Sequence, residues 1–285
     1  MSINFNTAPY FDDYDEEKRF LKVLFRPGVA VQTRELNQLQ TILQKQVDRF
    51  GQHVFKEGSM VIPGGISLNN NLSFVKLTGD ISSVVTSAGI AESPTTISDK
   101  EAAVNLMVGK QIIGESSGVT GIVKYYQLET QNTPVTLFIE YDSSGADNES
   151  QVFEDAETLS VVVTETDDQN FITYKVNSAV SSSTGVGSAA EIERGVYFVK
   201  GYFTLVEKQI VILDAYDTSP TYRIGLRVDE TIATPEQDET LNDNANGSFN
   251  FSAPGAHRYK VELILQKLPI DAETDENFIE LLQSQ

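Results

Sequence analysis

Apolar residues near the start of the chain recur every three or four positions, which is the spacing of an amphipathic helix. Steps of three and four place side chains on one helix face. Thr33 is the predicted N-cap, and Glu35 lies in the first turn, where the helix dipole favours an acid. The pattern predicts an α-helix from about Arg34 to Val54. Its apolar positions are Leu36, Leu39, Ile42, Leu43, Val47, Phe50 and Val54.

The sequence leaves two roles open for this helix. An amphipathic helix usually packs its apolar stripe on its own domain. It can also pack against copies of itself about a symmetry axis. The stripe is only about three heptads long and shifts at Gln46 and Val47, which weakens a pure coiled-coil prediction. Packing on the helix's own domain is therefore favoured, with self-packing as the alternative.

Most of the remaining chain has the shorter pattern of β-strands. Runs of β-branched and aromatic residues alternate with turns rich in Gly, Asn, Asp and Ser. Short strands at this spacing predict small barrels or sandwiches. The expected fold is mainly β with an N-terminal α-helical segment, and small β-barrel or sandwich domains in series. The predicted strands are 73–77, 112–114, 121–128, 135–141, 159–165, two or three within 195–214, 222–228 and 259–267.

Length and changes of pattern predict four regions, because 285 residues exceed one average domain. We expect a helical attachment region at 1–69, a small β-barrel-like domain at 70–168 and a linker at 169–190. The linker prediction rests on the stretch 178–190, which is rich in Ser, Gly and Ala and carries no charge. A β-sandwich-like domain with a short C-terminal helix is expected at 191–285.

The net charge of −20 is unevenly distributed. Residues 1–60 hold eight acidic and eight basic residues, so the rest of the chain carries 33 acidic against 13 basic. Such a field repels phosphate backbones and anionic lipids, so neither nucleic acid nor a membrane is an expected partner. The acidity either keeps the chain soluble, which is favoured, or selects a basic partner.

Three further features of the sequence concern membrane insertion, export and covalent cross-links. No apolar run approaches the length of a transmembrane helix. The first residues lack the basic and then apolar pattern of a signal peptide. The sequence has no cysteine, which removes disulfides and thiolate metal sites. Stability is therefore expected from packing or oligomerisation.

Three pairs of stretches carry a resemblance to a known family. They resemble the N-terminal part of a family of uncharacterised tailed-bacteriophage virion proteins, which are baseplate or tail-fibre components. The pattern across 108–159 also resembles a small barrel-like module of phage tail proteins. The stretches are PYFDDYD at 9–15 with LFRPGVAVQTRELNQLQT at 24–41, GVYFVKG at 195–201 with PTYRIG at 220–225, and LNDNA at 241–245 with APGAHRYK at 253–260.

The resemblance implies a structural role. It predicts a tail protein that docks through its N-terminal region and scaffolds or connects fibres. Three copies of the chain are expected to form a homotrimer, and other tail or baseplate proteins are the expected partners. It would be made in the host cytoplasm and end in the virion. Family members are often longer than this chain. The alternative is a receptor- or carbohydrate-binding module at a fibre tip, which would expose an aromatic-lined face in the last domain.

Enzymatic chemistry has little support in the residues. The only histidines are His53 and His257, and no nucleophile, phosphate-binding loop or H-E-x-x-H helix accompanies them. A polysaccharide-cleaving tailspike needs two placed carboxylates, which 41 acidic residues supply by chance alone. Asp142, Asp147 and Glu149 could collect oxygen ligands for Ca²⁺, but a solvated acidic turn is favoured. We predict no enzyme, no cofactor and no metal.

Aromatic and arginine residues mark the expected interface, because these types dominate interface energetics. They cluster in the first third of the chain together with the apolar stripe of the helix. The competing interpretation is that Phe20 and Phe25 fill a local core, as short apolar runs usually do. The predicted interface residues are Tyr10, Phe11, Tyr14, Arg26, Leu36, Leu39, Leu43, Val47 and Phe50.

Overall fold

The computed structural model divides the chain into two compact units. The first unit combines Met1–Ser67, Ala190–Val211 and Thr221–Gln285, and the second combines Leu68–Ala189 and Ile212–Pro220. The residues that the structure describes are 3–87, 90–145, 149–167, 170–273 and 275–284.

The predicted helix is confirmed and begins one residue earlier than expected. The N-cap is Gln32 rather than Thr33, because the Glu35 carboxylate accepts a hydrogen bond from the Gln32 N–H at 2.8 Å. A second helix was not foreseen from the sequence. The helices are α1 Thr33–Val54 and α2 Lys100–Met107, with 3₁₀ turns at Glu16–Lys18 and Glu239–Leu241.

The fold is mainly β, as predicted, and every strand expected from the sequence overlaps an observed one. The strands in chain order are β1 Ser59–Ile62, β2 Ile66–Ser87, β3 Ile90–Ala91, β4 Thr95–Thr96, β5 Gln111–Gly114, β6 Thr120–Gln127, β7 Thr136–Ser143, β8 Thr158–Asp167, β9 Asn170–Ser178, β10 Thr184–Ile192, β11 Gly195–Val199, β12 Tyr202–Val206, β13 Gln209–Asp214, β14 Tyr222–Ala233, β15 Arg258–Pro269 and β16 Phe278–Gln283.

The second unit contains a closed barrel. Strands β2, β7, β6, β5, β8 and β9 pair antiparallel in that order, and β9 pairs back onto β2. A sheet whose last strand pairs with its first has no free edge and forms a barrel. Strands β10 and β13 extend the sheet from β2, and the two-residue strands β3 and β4 also pair with β2. The barrel-like domain expected from the sequence is thus confirmed in kind.

The barrel encloses one apolar core, to which α2 also contributes. Asp99 caps α2 by accepting a hydrogen bond from the Ala102 N–H at 3.0 Å. The core includes the buried α2 residues Ala103, Val104 and Met107. A buried strand residue points inward at every second position, as barrel strands require. The strand residues of this core are Val75, Leu77, Ile81, Ile112, Val123, Leu137, Ile139, Leu159, Val161, Val163 and Val176.

The first unit combines α1 with two three-stranded antiparallel sheets, in the orders β1-β11-β12 and β15-β14-β16. Strand β1 pairs with β11, with Ser59 opposite Phe198. The regions 1–69 and 191–285, predicted as separate domains, therefore share one compact unit, apart from residues 68–69 and 212–220, which belong to the second unit. Sequence patterns are local, and this pairing joins residues more than a hundred positions apart.

The predicted linker at 169–190 is wrong, because most of it forms β9 and β10. Its small residues fit close neighbours rather than confer flexibility. A Cβ at Gly185 would come within 2.7 Å of the Phe74 ring, and one at Gly187 within 2.7 Å of the Asp214 carbonyl oxygen. Only glycine allows backbones and rings to approach so closely.

The predicted short C-terminal helix is also wrong. Residues 278–283 form β16, which pairs with β14 in the register Leu226 opposite Ile279. The run Phe-Ile-Glu-Leu-Leu has no decisive periodicity, and short apolar runs fit helix and strand equally well. Pairing with the open side of β14 decides the outcome.

Candidate assembly interface

The predicted attachment region begins with a segment that binds α1. We call residues 10–16 the clasp. The Tyr10 hydroxyl shares a hydrogen bond of 2.7 Å with His257 Nδ1, and the Tyr10 carbonyl accepts one from Asn37 at 3.0 Å. The clasp therefore lies along the helix within its own chain. Its contacts with α1 are Asp12 with the Thr41 hydroxyl, Asp13 with Arg34 and Glu16 with Arg49.

One face of α1, the inner face, packs on the first unit. Ile42 is 3 % exposed. Gly51 lies directly against the Phe198 ring, which leaves no room for a side chain. Gln44 donates a hydrogen bond to the Gly201 carbonyl at 2.7 Å. These contacts fix the rotation of the helix about its own axis, so the side that faces solvent is also fixed.

The opposite face of α1, the outer face, is apolar and open to solvent. Its side chains range from 41 % exposed for Val47 to 64 % for Phe50. Packing on the helix's own domain therefore accounts for Ile42 and in part for Leu39, but not for the rest of the predicted stripe. The large apolar residues of the outer face are Leu36, Leu43, Val47, Phe50 and Val54.

A second exposed apolar segment lies between the clasp and α1. We call residues 20–31 the arm; all of them are described, and they form neither helix nor strand. The turn predicted at Arg26-Pro27-Gly28 is present, with Gly28 at φ +79°. Phe20 and Phe25 are exposed, so they do not fill a core. The exposed large residues of the arm are Phe20, Leu21, Leu24, Phe25, Val29 and Val31.

The solvent exposure of the arm is not caused by a connection too short to fold back on the protein. The Glu16–Arg49 pair anchors its start near the end of α1, and the chain must return to Thr33, about 24 Å along the helix. The 14 residues from Arg19 to Gln32 could span about 46 Å when extended. The arm thus has slack, and its exposure is not the result of a taut connection.

The nine predicted interface residues divide into two groups. Tyr10, Tyr14 and Leu39 are half-buried, and Tyr10 is engaged within its own chain. The others lie at the surface. They are Phe11, Arg26, Leu36, Leu43, Val47 and Phe50. The nine residues leave out the apolar arm residues and Val54, although the sequence allowed Phe20 and Phe25 either at an interface or in a local core. The available clue was an apolar run followed by a turn, with no alternating pattern to place it in a sheet.

A polar cluster in the first unit is satisfied by its own members. Lys200 pairs with Glu230 and donates to Asn277 at 2.9 Å. Tyr259 donates to Glu230 at 2.7 Å. Burial opposes ionisation of Glu230, but the hydrogen bonds from Lys200 and Tyr259 hold its pKa below the ordinary value. Burial, followed by the bond to Glu230, raises the pKa of Tyr259. These mutual bonds give the cluster a structural role.

Among the described residues, no group of three or more acidic or histidine side chains is arranged to hold a metal ion. Asp147, considered for Ca²⁺ with Asp142 and Glu149, lies outside the described residues. In the described ranges no helix has both the length and the apolarity to cross a membrane.

One family model matches part of the chain. Residues 8–87 match a domain of unknown function, DUF4815. The match covers less than a third of the 285 residues and includes the clasp, the arm and α1. Searches of curated proteins and of solved structures found no match. The matched domain thus contains the candidate interface, extends through β1 and β2, and names no activity.

Proposed function

We propose that the chain is a structural, non-enzymatic component of a bacteriophage tail, a baseplate or tail-fibre protein that scaffolds or connects fibres. It docks through its N-terminal region to other tail or baseplate proteins and acts as a homotrimer in the virion. The resemblance of 9–41 and 241–260 to tail virion proteins motivates the proposal.

The observation that carries the docking role is the exposed arm. Six large apolar side chains within twelve consecutive residues face solvent. Exposed apolar surface is unfavourable in water by about 25 cal/mol per Å², so a run of this density favours a partner that covers it. A connecting protein uses such a surface in its assembled state.

The charge distribution supports the same division. Residues 1–60 are electrically neutral, whereas the rest of the chain is strongly acidic. Interface cores are depleted of acidic residues. Acidic surfaces that face solvent repel neighbouring copies and limit unwanted contacts. A neutral attachment region in an otherwise strongly acidic chain suits a protein held in a crowded, ordered assembly.

The test uses the double variant Leu21→Ser/Leu24→Ser, because both side chains are at least 70 % exposed and their loss should leave the fold intact. The variant should match the wild-type circular dichroism and melting temperature. It should be missing from tails purified after complementation of a phage lacking the gene. Phe249→Ser, which removes another fully exposed side chain, is the matched control and should incorporate normally. Wild-type chain absent from purified tails, or normal incorporation of the double variant, would overturn the docking role.

A receptor- or carbohydrate-binding function has one observation in its favour. Phe249 and Phe251 project into solvent from the long loop between β14 and β15. Exposed aromatic rings are common stacking platforms for ligands. If this function holds, Phe249→Ser particles should assemble normally yet adsorb poorly to host cells. The same particles adsorbing at the wild-type rate would remove this candidate.

A further inference from the structure

The outer face of α1 follows a seven-residue repeat. Leu36, Leu43 and Phe50 are spaced by seven and occupy one heptad position, d. Heptad position a lies four residues after each d, and it is occupied by Gln40, Val47 and Val54. Apolar a and d positions form the seam of a coiled coil. The shift that the whole apolar stripe shows at Val47 disappears once Leu39, at a flanking g position, and Ile42, buried at a c position, are left out of the seam.

We infer that the outer face of α1 is a self-recognition surface through which copies of this chain associate as a parallel coiled coil. The inference deepens the proposed function and takes from it only the expected number of copies, three. It assigns the two exposed apolar surfaces to different partners: the outer face of α1 to other copies, and the arm to a different tail protein.

The charges of α1 favour a second copy as the occupant. None of its charged residues lies at a or d, the seam of a coiled coil, or at the flanking g positions. The flanking e positions, Gln44 and Gly51, pack on the helix's own unit. Copies with a net charge of −20 repel one another, and this face lets two copies meet without adding to that repulsion. The repeat also guarantees a match, because every copy presents the same spacing. The charged residues of the helix are Arg34, Glu35, Lys45, Asp48 and Arg49.

Gln40 favours a parallel arrangement. In a parallel coil the a positions of all copies meet in one layer, so the Gln40 amides can hydrogen-bond to each other. In an antiparallel pair each a position faces a d position, which places Gln40 against Phe50 or Leu43. A buried amide without a partner costs about 1–3 kcal/mol. The polar residue within the seam thus selects the direction of the helices.

The packing of the inner face strengthens the association. Most of the stability of a helix in a protein comes from tertiary packing rather than from helix propensity. Here Ile42, Gln44 and Gly51 hold α1 on its own unit before any partner binds. Association therefore does not have to order the helix, and preorganisation of this kind raises affinity. The seam from Leu36 to Val54, about 27 Å long, can then suffice, although an isolated peptide of the same sequence would be weak.

The experiment measures the mass of the full chain by light scattering across a range of concentrations. The wild type should reach the mass of two or three chains of 31.4 kDa. Leu43→Asp and Val47→Asp should be monomeric with unchanged circular dichroism, because both side chains are exposed in the single chain. Leu24→Asp, on the arm, is the matched control and should keep the wild-type mass. A monomeric wild type, or a Leu43→Asp variant of wild-type mass, overturns the inference.

Helix direction is tested with Gln40→Cys, which introduces the only thiol in the chain. Mild oxidation should give a cross-linked dimer on a non-reducing gel, because parallel a positions face each other. Absence of the cross-link in an oligomeric sample overturns the parallel arrangement.

A mass of two chains supports the seam but contradicts the homotrimer of the proposed function. A Leu24→Asp chain that oligomerises yet incorporates normally contradicts the docking role and leaves the seam standing.

Discussion

At the scale of single residues, Glu157 holds a turn of the barrel in place. It is 3 % exposed, and its carboxylate accepts hydrogen bonds from the N–H groups of Ser116, Ser117 and Glu154 at 2.6–2.9 Å. The Ser117 hydroxyl donates a fourth at 3.1 Å. The pattern across 108–159, which resembles a small barrel-like module, therefore includes a turn at 116–118 that Glu157 holds through hydrogen bonds.

Replacing Glu157 with Gln should destabilise the second unit by about 2–4 kcal/mol. The amide keeps one acceptor oxygen and points an NH₂ group at N–H donors, which leaves buried groups unpaired. Chemical denaturation followed by circular dichroism measures the change. Glu140→Gln is the control, because its carboxylate is 67 % exposed and pairs with Lys124 at the surface. Equal stability of the two variants would contradict the structural role of Glu157.

Tyr141 should make the barrel sensitive to alkaline pH. Burial raises its pKa to about 12, since the tyrosinate is poorly solvated beside Phe153. A folded-state pKa above the ordinary value of 10.0 gives stability that is complete below pH 10 and is lost as the pH rises towards 12. Between about pH 8 and about pH 11, the wild type should lose more unfolding free energy than Tyr141→Phe. Parallel losses in the two proteins would exclude this contribution.

At the scale of elements, α1 illustrates why a helix can be predicted when its environment cannot. Steps of three and four revealed the helix, but the stripe covers two faces with different neighbours. Gly51 separates them. Because Gly51 has no side chain, the helix can approach Phe198 closely on the inner face. A pattern of apolar side chains cannot reveal such a contact, since glycine contributes no apolar side chain.

Gly51→Ala tests this close packing, because the sign of the change in unfolding free energy depends on whether the helix is packed there. Alanine is the better helix former by about 1 kcal/mol, so an unpacked helix would gain stability. A Cβ at Gly51 would overlap the Phe198 ring, and the resulting strain should destabilise the first unit by about 1–3 kcal/mol. Gly65→Ala, where no atom lies within 4 Å of the added Cβ, controls for the loss of glycine flexibility. A stabilising Gly51→Ala would refute the packing.

Other elements show where local patterns stop being informative. Alternating strands such as β15 were predicted because one face is apolar and the other polar. Strand β10 was taken for part of a linker because its glycines and alanines carry no alternation, although Ala189 and Ala190 are fully buried. Helix α2 was missed because its eight residues are too few for a periodic pattern. In each case the deciding interaction comes from a distant part of the chain.

At the scale of the whole molecule, the discontinuous first unit follows from pairings between distant residues. Strand β1 pairs with β11, and Tyr197 donates a hydrogen bond to the Gly64 carbonyl at 2.7 Å. Such contacts could not be predicted from one sequence. The imbalance of charge could be predicted from the sequence, because it is a property of composition alone. It leads to a prediction about how copies associate.

Self-association through the outer face of α1 should strengthen as the salt concentration rises. The seam carries no charge, so salt removes no attraction there, whereas copies with a net charge of −20 repel one another. The screening length falls from about 30 Å at 0.01 M salt to about 3 Å at 1 M, which suppresses that repulsion. Sedimentation equilibrium should therefore give a lower dissociation constant in high salt. Leu43→Asp should stay monomeric throughout, which would show that the gain depends on the seam. A dissociation constant that rises with salt would mean that ion pairs, and not the apolar seam, hold the copies together.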